Sequence, residues 1–453
     1  MAMKLVVIGA GMASGRAMEH LLAANDEIYD ITLFGAEPRG NYNRIMLSPV
    51  LSGDKTYEDI VTHDAEWYTK HGVDCRFGEM VTGINRMRKV VISEKGETPY
   101  DKLLIATGSS PFIIPIPGRD LKGVMAYRDL GDVNAMLAYA HNPSPKAVVI
   151  GGGLLGLEAA AGLAAQGMKV TVVHLMPHLM ERQLDQSAGF LLQRELENRG
   201  IEIVCGANTN AIEGEGKVEA VLLDDGRRIA ADMVIMAVGI RPNFGLAQAS
   251  GLKYNRGLLV NDQMKTEDPD VFSIGECVEH RGTCYGLVAP LYDMAKVAAR
   301  NLLGFHDIFE PVEISTKLKV TGCDLFSAGD FSEADSREEI VFRDATRGVY
   351  KRLVIEDNKI IGVVMYGDTA DGPWFLQKIK DKADISEMRD TLIFGPNFAG
   401  GPPVDPMAAV AALPLEAEIC GCNGISKGDI VAAINAGAGS LADVQAITKA
   451  STS

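Results

Sequence analysis

The sequence predicts an α/β fold that contains two parallel-sheet units and smaller pieces toward the C-terminus. In the first unit, an apolar strand at 4–8 leads through a glycine-rich turn to a helix at 16–24 and a strand at 31–34. The same series returns about 140 residues later, with a strand at 147–150, a helix at 157–166 and a strand at 169–174. A strand, a turn, a helix and a second strand form a βαβ unit, which builds a parallel sheet covered by helices.

Length and composition indicate several soluble domains. The chain has 453 residues, which suggests about three domains at ~150 residues each, and 47% of them are hydrophobic. The net charge of −16 argues against a nucleic-acid partner, because phosphate binding requires a basic face. No apolar run reaches the ~18 residues of a membrane-spanning helix, and the apolar N-terminus is interpreted as the first strand. We therefore expect a cytoplasmic chain, with reduced thiols at the scattered positions Cys75, Cys205, Cys277, Cys284 and Cys323.

Each glycine-rich turn has the spacing of a dinucleotide-binding loop. In such a loop the first glycine permits the tight turn, the second lets the backbone approach a pyrophosphate, and the third lets helix and strand pack closely. The free N–H groups of the helix N-terminus then face the phosphates. Two copies, each between a strand and a helix, make a chance match improbable. The loop positions are Gly9, Gly11 and Ser14 in the first unit and Gly151, Gly153 and Gly156 in the second.

The residue that binds the adenosine ribose is expected at the end of each unit's second strand. In the first unit the candidate is Glu37, slightly beyond the strand. In the second unit the strand ends at His174, and no arginine follows before Arg182. An acid there would favour NAD and a nearby arginine would favour NADP. We expect NADH, and NADPH remains open.

Three further motifs identify a family. They are YDKLLIATGS at 100–109, VGIRPN at 238–243 and IGE at 274–276. Together with the two loops, they resemble the pyridine nucleotide–disulfide reductases over residues 4 to about 300. The resemblance implies two Rossmann-like, three-layer dinucleotide-binding domains, with FAD on the first and NAD(P)H on the second.

The resemblance also implies roles for individual residues. Arg44 would lie near the FAD pyrophosphate, Val81 on the adenine side, and Glu276 at the flavin ribityl chain, where the family has Asp. Glu158, just beyond the second loop, would lie beside the nicotinamide and is the catalytic candidate. Other cofactor-binding candidates in the matching motifs are Ala106, Thr107, Gly108, Gly239 and Gly275.

The thiols of related reductases are missing. Disulfide reductases carry a cysteine pair in the first helix, but no cysteine precedes Cys75 here. Related enzymes place a single cysteine near the position of Asn43, and that cysteine is absent too. Electrons would therefore leave the flavin for another redox centre, as in ferredoxin and rubredoxin reductases.

Smaller pieces follow the two large units. Residues 309–400 contain short strands at 316–321, 348–356 and 359–366 and a helix at 372–381, which predicts a small α+β domain. This piece resembles the family's third domain, which often supports dimerisation, so a homodimer remains open. The predicted division is 1–118 and 250–308 for the FAD-binding domain, 119–249 for the NAD(P)H-binding domain, 309–400 for the α+β domain, 401–417 for a linker and 418–453 for the last piece.

The last piece begins with Cys420 and Cys422 in the sequence CGCNGISKGDI. This resembles the start of a [2Fe–2S] domain of the bacterioferritin-associated ferredoxin (BFD) type, as a partial helical segment. Such a cluster requires four thiolates, and the second pair in that domain would fall beyond Ser453. We therefore expect the cluster only in a longer protein, with an incidental cysteine pair in a tail as the alternative.

The order of these pieces resembles the large subunit of NAD(P)H nitrite reductases. Motifs at 41–44, 174–177, 181–185, 275–280 and 285–291 look like that subfamily. The resemblance implies electron transfer from NAD(P)H through FAD to a downstream sirohaem and Fe–S module, or to a separate redox protein. Three alternatives remain: the electron-transfer subunit of an assimilatory nitrate reductase, a free-standing rubredoxin or ferredoxin reductase, and a flavin-bound sensor without turnover.

Overall fold

The structure, a computed structural model, describes most of the chain. The described residues are 2–24, 27–141, 145–311, 315–320, 322–398, 410–411, 413–415, 417–420 and 425–451. Most of the predicted linker at 401–417 therefore lies outside the described residues.

Strands occur along the whole chain. The strands of the first third are β1 (Met3–Ile8), β2 (Tyr29–Gly35), β3 (Asp74–Phe77), β4 (Val81–Asn85), β5 (Val90–Ser93), β6 (Gly96–Pro99), β7 (Lys102–Ile105), β8 (Ser109–Pro111) and β9 (Val124–Ala126). Those of the middle are β10 (Lys146–Ile150), β11 (Lys169–Val173), β12 (Glu202–Val204), β13 (Thr209–Glu213), β14 (Ala220–Leu223), β15 (Arg228–Ala230), β16 (Met233–Met236), β17 (Ile240–Pro242), β18 (Leu258–Val260), β19 (Val271–Ser273), β20 (Val278–His280) and β21 (Thr283–Cys284). Those of the last third are β22 (Ser315–Val320), β23 (Cys323–Gly329), β24 (Glu338–Asp344), β25 (Val349–Glu356), β26 (Lys359–Tyr366), β27 (Glu418–Cys420) and β28 (Ile425–Ser426).

Helices connect the strands. The α-helices are α1 (Met12–Ala24), α2 (Leu47–Ser52), α3 (Ala65–Lys70), α4 (Leu130–Ala140), α5 (Leu154–Ala165), α6 (Gln186–Asn198), α7 (Gly245–Ala249), α8 (Val288–Leu302), α9 (Gly372–Lys380), α10 (Lys427–Asn435) and α11 (Leu441–Thr448). Short 3-10 helices occur at Arg44–Met46, Glu58–Ile60, Gly275–Cys277, Ser386–Met388, Leu392–Phe394 and Pro396–Phe398. Among the described residues, no helix is long and apolar enough to span a bilayer.

The first unit has three layers around a parallel sheet of order β19-β7-β1-β2-β3. Successive side chains of a strand point to opposite faces, and β1 is apolar on both. Leu5 and Val7 pack in the same core as α1 and α8, whereas Val6 and Ile8 pack in a second core with Val91 of the antiparallel sheet β4-β5-β6. Burial on both faces explains why β1 is an unbroken apolar run from Leu5 to Ile8.

The second unit repeats this arrangement. Its parallel sheet has the order β12-β11-β10-β16-β9. Ala147 and Val149 face the core that contains α5, and Val148 and Ile150 face the core that contains Val221 of the antiparallel sheet β13-β14-β15. The predicted fold class, with two Rossmann-like three-layer units, is confirmed.

Both loop helices begin earlier than predicted. α1 begins at Met12 and α5 at Leu154, whereas the sequence pattern indicated starts at 16 and 157. The reason is that Ser14 and Gly156, the third loop positions, lie inside the first helical turn rather than before it. The first helical N–H groups therefore come directly after Gly11 and Gly153.

The chain crosses between the two units twice, and the crossings pair with each other. β8 and β17 form an antiparallel ribbon with Ser110 opposite Arg241. Beside it, Thr107 and Asn243 exchange two hydrogen bonds of 2.9 Å, one from each side chain to the other residue's carbonyl oxygen. Backbone pairing thus fixes the join between the units.

The third large piece is an antiparallel sheet of order β22-β23-β26-β25-β24, against which α9 packs. It contacts the second unit through Tyr350, whose hydroxyl donates to Asp185 at 2.6 Å, and through Arg352, which lies 3.4 Å from the same carboxylate. Asp185 also caps α6. In the last piece, β27 pairs with β28 ahead of α10 and α11.

Candidate functional site

The first glycine loop connects β1 to α1. Gly9 has a φ of +111°, and a Cβ on it would lie 2.2 Å from the carbonyl oxygen of Ala106. Gly11 has no atom within 4 Å of its Cβ position, so its backbone faces open space. Ser14 is fully buried, and its hydroxyl donates to the carbonyl oxygen of Gly11 at 2.9 Å. The loop is therefore closed on the sheet side and open beside the N-terminus of α1.

The second loop has the same shape. Gly151 has a φ of +119°, and its Cβ position lies 2.3 Å from the carbonyl oxygen of Ala237, as Gly9 does with Ala106. Gly153 faces open space and precedes α5 without a side-chain cap. A Cβ on Gly156 would lie 2.0 Å from the carbonyl oxygen of Gly151, so only glycine allows this close packing. Uncapped N–H groups at an open helix N-terminus suit an anion.

A charged cluster lies around the first loop. Glu37 forms an ion pair with Arg44 and accepts a hydrogen bond of 2.9 Å from Tyr42. Arg44 also donates to the carbonyl oxygen of Arg128 at 3.1 Å. The structure thus brings two predicted site residues, Glu37 and Arg44, into direct contact and adds Arg128, which sequence reasoning missed.

The charged cluster also includes Glu276, the residue predicted to lie at the flavin ribityl chain. Gly275 has a φ of +86°, and its Cβ position lies 3.3 Å from the side chain of Ala13 in α1. Glu276 forms an ion pair with Arg128 and accepts a hydrogen bond of 2.8 Å from Ser109. Glu276 therefore lies at the N-terminal end of α1, although it is distant in sequence.

Of the remaining candidates, Ala106, Thr107, Gly108 and Gly239 lie around the crossing between units, and Val81 lies elsewhere in the first unit. Ala106 is buried, Thr107 bonds with Asn243, and Gly108 has a φ of +65°. Gly239 has a φ of +113° and accepts a hydrogen bond from Phe112 at 2.9 Å. Val81, at the start of β4, packs on the core beneath the antiparallel sheet.

Glu158 contacts the first unit. Its carboxylate accepts a hydrogen bond of 2.8 Å from Ser48 of α2, and the Ser48 hydroxyl lies 2.9 Å from that of Tyr127. Burial raises the pKa of Glu158 to about 7, although the Ser48 hydrogen bond lowers it in part. A carboxyl group that titrates near neutral pH at the join of two units is typical of a functional site. No local pattern pointed to Ser48 or Tyr127.

His174 directly follows β11 and is buried. Its Nδ1 lies 3.0 Å from the backbone nitrogen of Gly152 in the second loop, and its Nε2 lies 3.1 Å from the carboxylate of Glu181. The sequence identified His174 as a candidate, and although Glu181 lies in one of the subfamily motifs, it was assigned no role.

Cys420 is buried at the end of β27, and its sulfur accepts a hydrogen bond of 3.4 Å from the backbone nitrogen of Ser451. Cys422 lies outside the described residues. Within the part of the chain that the structure describes, no three His, Cys, Asp or Glu side chains are grouped to hold a metal ion. The described cysteines are free thiols.

Three family descriptions match the chain in order. "Pyridine nucleotide-disulphide oxidoreductase" matches residues 3–300, "Rubredoxin NAD+ reductase C-terminal domain" matches 315–383, and "BFD-like [2Fe-2S] binding domain" matches 418–453. The first match covers both glycine loops, and the last covers Cys420 and Cys422.

Two curated relatives span almost the whole chain. It is 47% identical over 455 residues to the Bacillus subtilis protein named nitrite reductase (NAD(P)H), covering 99% of this chain and 56% of the relative. It is 41% identical over 434 residues to the assimilatory nitrate reductase electron transfer subunit of the same organism, covering 95% of this chain and 55% of the relative. The chain thus spans about half the length of these relatives.

Among solved structures, the NADH:rubredoxin oxidoreductase of Clostridium acetobutylicum is similar at a TM-score of 0.74 and 26% identity, covering 87% of this chain and 99% of that one. With the loops, the family matches establish an NAD(P)H-dependent flavoprotein oxidoreductase whose cofactors are FAD and NAD(P)H, with an iron–sulfur binding domain at its C-terminal side. The chain belongs to the pyridine nucleotide-disulphide oxidoreductase family.

Proposed function

We propose that the chain is the electron-input portion of an NAD(P)H nitrite reductase. It would take a hydride from NAD(P)H and pass electrons outward to a nitrite-reducing sirohaem and Fe–S centre. The observation that carries this proposal is the 47% identity to an NAD(P)H nitrite reductase over 99% of the chain. A reductase unit, a rubredoxin-reductase-type domain and a BFD-like domain in that order also support it.

The first loop and its charged cluster would hold FAD. Gly11 and the N-terminus of α1 face open space, which a bulky phosphate group requires. Arg44 and Arg128 supply positive charge next to that space, and Glu37 supplies a carboxylate for ribose hydroxyls. The other residues proposed to line this site are Gly9, Ser14, Val81, Ala106, Thr107, Gly108, Gly275 and Glu276.

The second loop would hold the nicotinamide dinucleotide. Gly151, Gly153 and Gly156 shape an open, uncapped helix N-terminus for the pyrophosphate, with His174 and Gly239 at its sides. FAD, when bound, supplies the hydride-accepting chemistry. Glu158 would orient the nicotinamide at the join between the units, where burial holds its pKa near neutrality.

Cys420 and Cys422 would be the first ligand pair of a [2Fe–2S] cluster. Thiolates are the expected ligands, and the neighbouring backbone N–H of Ser451 suits a sulfur ligand because a hydrogen bond stabilises negative charge there. The cluster would relay electrons onward, to a module of the same protein or to a separate redox partner. A cytoplasmic location and a homodimer through the third piece complete the proposal.

A second candidate is the electron-transfer subunit of an assimilatory nitrate reductase, which the 41% identical relative favours. The complete reading frame that contains the chain would be expressed with its cofactors. Nitrite-dependent oxidation of NADH with ammonium as product supports the first proposal. Oxidation that requires nitrate and a separate nitrate-reducing protein supports the second, and dependence on neither acceptor contradicts both.

A matched experiment tests the electron-input role in this chain alone. FAD-loaded protein, mixed with NADH, is expected to lose its visible flavin absorbance quickly and to reduce an artificial dye, without reducing nitrite. Persistence of the flavin absorbance would exclude turnover and favour a flavin-bound sensor.

A further inference from the structure

His174 links the second glycine loop to a carboxylate. Its Nδ1 accepts a hydrogen bond of 3.0 Å from the backbone N–H of Gly152, and an accepting ring nitrogen carries no proton. In the neutral ring the proton is therefore on Nε2, which donates to Glu181 over 3.1 Å. One imidazole thus connects the loop to the position of Glu181.

The turn that carries Glu181 packs directly on the same loop. The backbone nitrogen of Met180 donates to the carbonyl oxygen of Gly152 at 3.0 Å. A Cβ on Gly152 would lie 2.6 Å from the side chain of Leu179 and 2.7 Å from the ring of His174. Glycine at 152 is therefore required for this contact, in addition to the three motif positions.

Met180 has an unusual backbone conformation. It is fully buried and has a φ of +55°, in the left-handed region that costs a non-glycine residue on the order of 1–3 kcal/mol. Its carbonyl oxygen accepts two hydrogen bonds of 2.8 Å, from Gln183 and Leu184, which hold the turn. This strained turn brings Glu181 back to the end of β11, seven positions after His174.

We propose that Glu181, held by His174, is the carboxylate that binds the adenosine ribose hydroxyls and makes the enzyme prefer NADH to NADPH. The proposal rests on the second loop as the nicotinamide dinucleotide site. In a unit of this fold the ribose lies at the end of the second strand, where a carboxylate accepts hydrogen bonds from the hydroxyls. Here that position holds His174, and Glu181 supplies the carboxylate from the following turn. Its side chain is 26% exposed, so a ligand can reach it.

A carboxylate at this position also disfavours NADPH, because it repels the charge of a 2′-phosphate. Two arginines line the cleft of about 570 Å³ that Glu181 borders. Arg352 is 4% exposed and already paired with Asp185 and Glu339. Arg182 is exposed and is the competing residue, since an arginine near the ribose would bind a 2′-phosphate.

Binding of ligand fragments to the FAD-loaded protein distinguishes the role of Glu181 from that of Arg182. The variants E181Q and R182Q are compared with wild type by calorimetry with ADP-ribose and with 2′-phospho-ADP-ribose, which report binding without turnover. We expect wild type to bind ADP-ribose more tightly than 2′-phospho-ADP-ribose. The ratio of the two affinities should fall about tenfold in E181Q and stay within about twofold of the wild-type value in R182Q. The ratio of kcat/KM for NADH and NADPH should change in parallel.

The outcomes are distinguishable. An unchanged preference in E181Q, or a wild-type preference for 2′-phospho-ADP-ribose that R182Q removes, overturns the role of Glu181 and leaves the second loop as the dinucleotide site. Failure of wild type to bind either fragment overturns the site itself. E181D has a shorter side chain but keeps the negative charge. If E181D retains the preference for ADP-ribose, the loss in E181Q is due to the removed charge and not to an altered structure, which supports the proposal. Nitrite dependence of the complete enzyme is a separate measurement.

Discussion

Ser48 of the first unit donates a hydrogen bond of 2.8 Å to Glu158 of the second. This bond lies at the buried surface where α2 packs on α5, and it reaches a carboxyl group whose pKa burial raises to about 7. The charge state of Glu158 therefore changes near neutral pH, at the contact between α2 of the first unit and α5 of the second.

Replacement of Glu158 by glutamine should stabilise the cofactor-free protein at high pH only. The folded-state pKa is raised from 4.5 to about 7, so the contribution of the carboxyl group is fully present below 4.5 and is lost as the pH rises through 7. Because glutamine does not ionise, E158Q should gain about 3 kcal/mol at about pH 9 and less than about 1 kcal/mol at about pH 5. Urea unfolding at the two pH values measures this.

The control for that experiment is E94Q, since Glu94 is exposed. E94Q should show no such dependence on pH. An equal gain for E158Q at both pH values would mean that folding does not raise the pKa of Glu158. In the loaded enzyme E158Q should slow NADH-driven reduction, if Glu158 orients the nicotinamide.

Removal of the Ser48 hydroxyl should have the opposite effect on stability. The Ser48 hydrogen bond lowers the pKa of Glu158, so S48A should raise that pKa and cost about 1–2 kcal/mol at high pH, where the carboxylate loses its donor. Ser52, in the same helix, hydrogen-bonds to the carbonyl oxygen of Pro49 and to Asp54 rather than to Glu158. Comparison of S48A with S52A by urea unfolding is the measurement, and equal losses would show that the contact with Glu158 contributes nothing.

The glycines at the first loop positions should be among the least replaceable residues. In G151A the new Cβ would lie 2.3 Å from the carbonyl oxygen of Ala237 at a φ of +119°, so the loss should reach about 3 kcal/mol or more. Gly200 also has a positive φ, but its Cβ position is free, and G200A should cost only ~1 kcal/mol. Thermal unfolding of both variants tests the difference, and similar losses would exclude the close contact as its cause.

Substitutions at the open positions of the two loops should affect the two cofactors separately. Gly153 has a normal φ and free space, so G153R should fold, retain FAD and lose NADH-driven dye reduction. Gly11 occupies the same position in the first loop, and G11R should instead lose FAD. The FAD content after desalting and the rate of dye reduction give both results. Normal dye reduction in G153R would contradict the assignment of the second site.

Local patterns were sufficient to predict the two loops, because glycine spacing reflects contacts within a few residues. Gly9 and Gly151 make the same close backbone contact, with Ala106 and Ala237 respectively, as expected for a repeated motif. The helix starts were placed too late, because nothing in the sequence indicates that Ser14 already lies in a helical turn.

Arg128 and Ser48, which the sequence did not reveal, act over long separations. Arg128 meets Glu276 148 positions away, and Ser48 meets Glu158 110 positions away. Such pairs depend on how the units pack, and no local motif records that packing. Glu181 is a local case that was also missed, because the left-handed turn at Met180 could not be foreseen from a buried methionine.

The paired crossings at β8 and β17 make the second unit an insert with both ends held in one ribbon. Its entry and exit are adjacent, and Thr107 and Asn243 secure them on the side of the first unit. An exchange of the segment between these strands would therefore move the second glycine loop as one piece, but it would also replace Arg128 and Glu158, which contact Glu276 and Ser48 of the first unit. A graft at this ribbon would therefore need arginine and glutamate at positions 128 and 158 to preserve the contacts with the first unit.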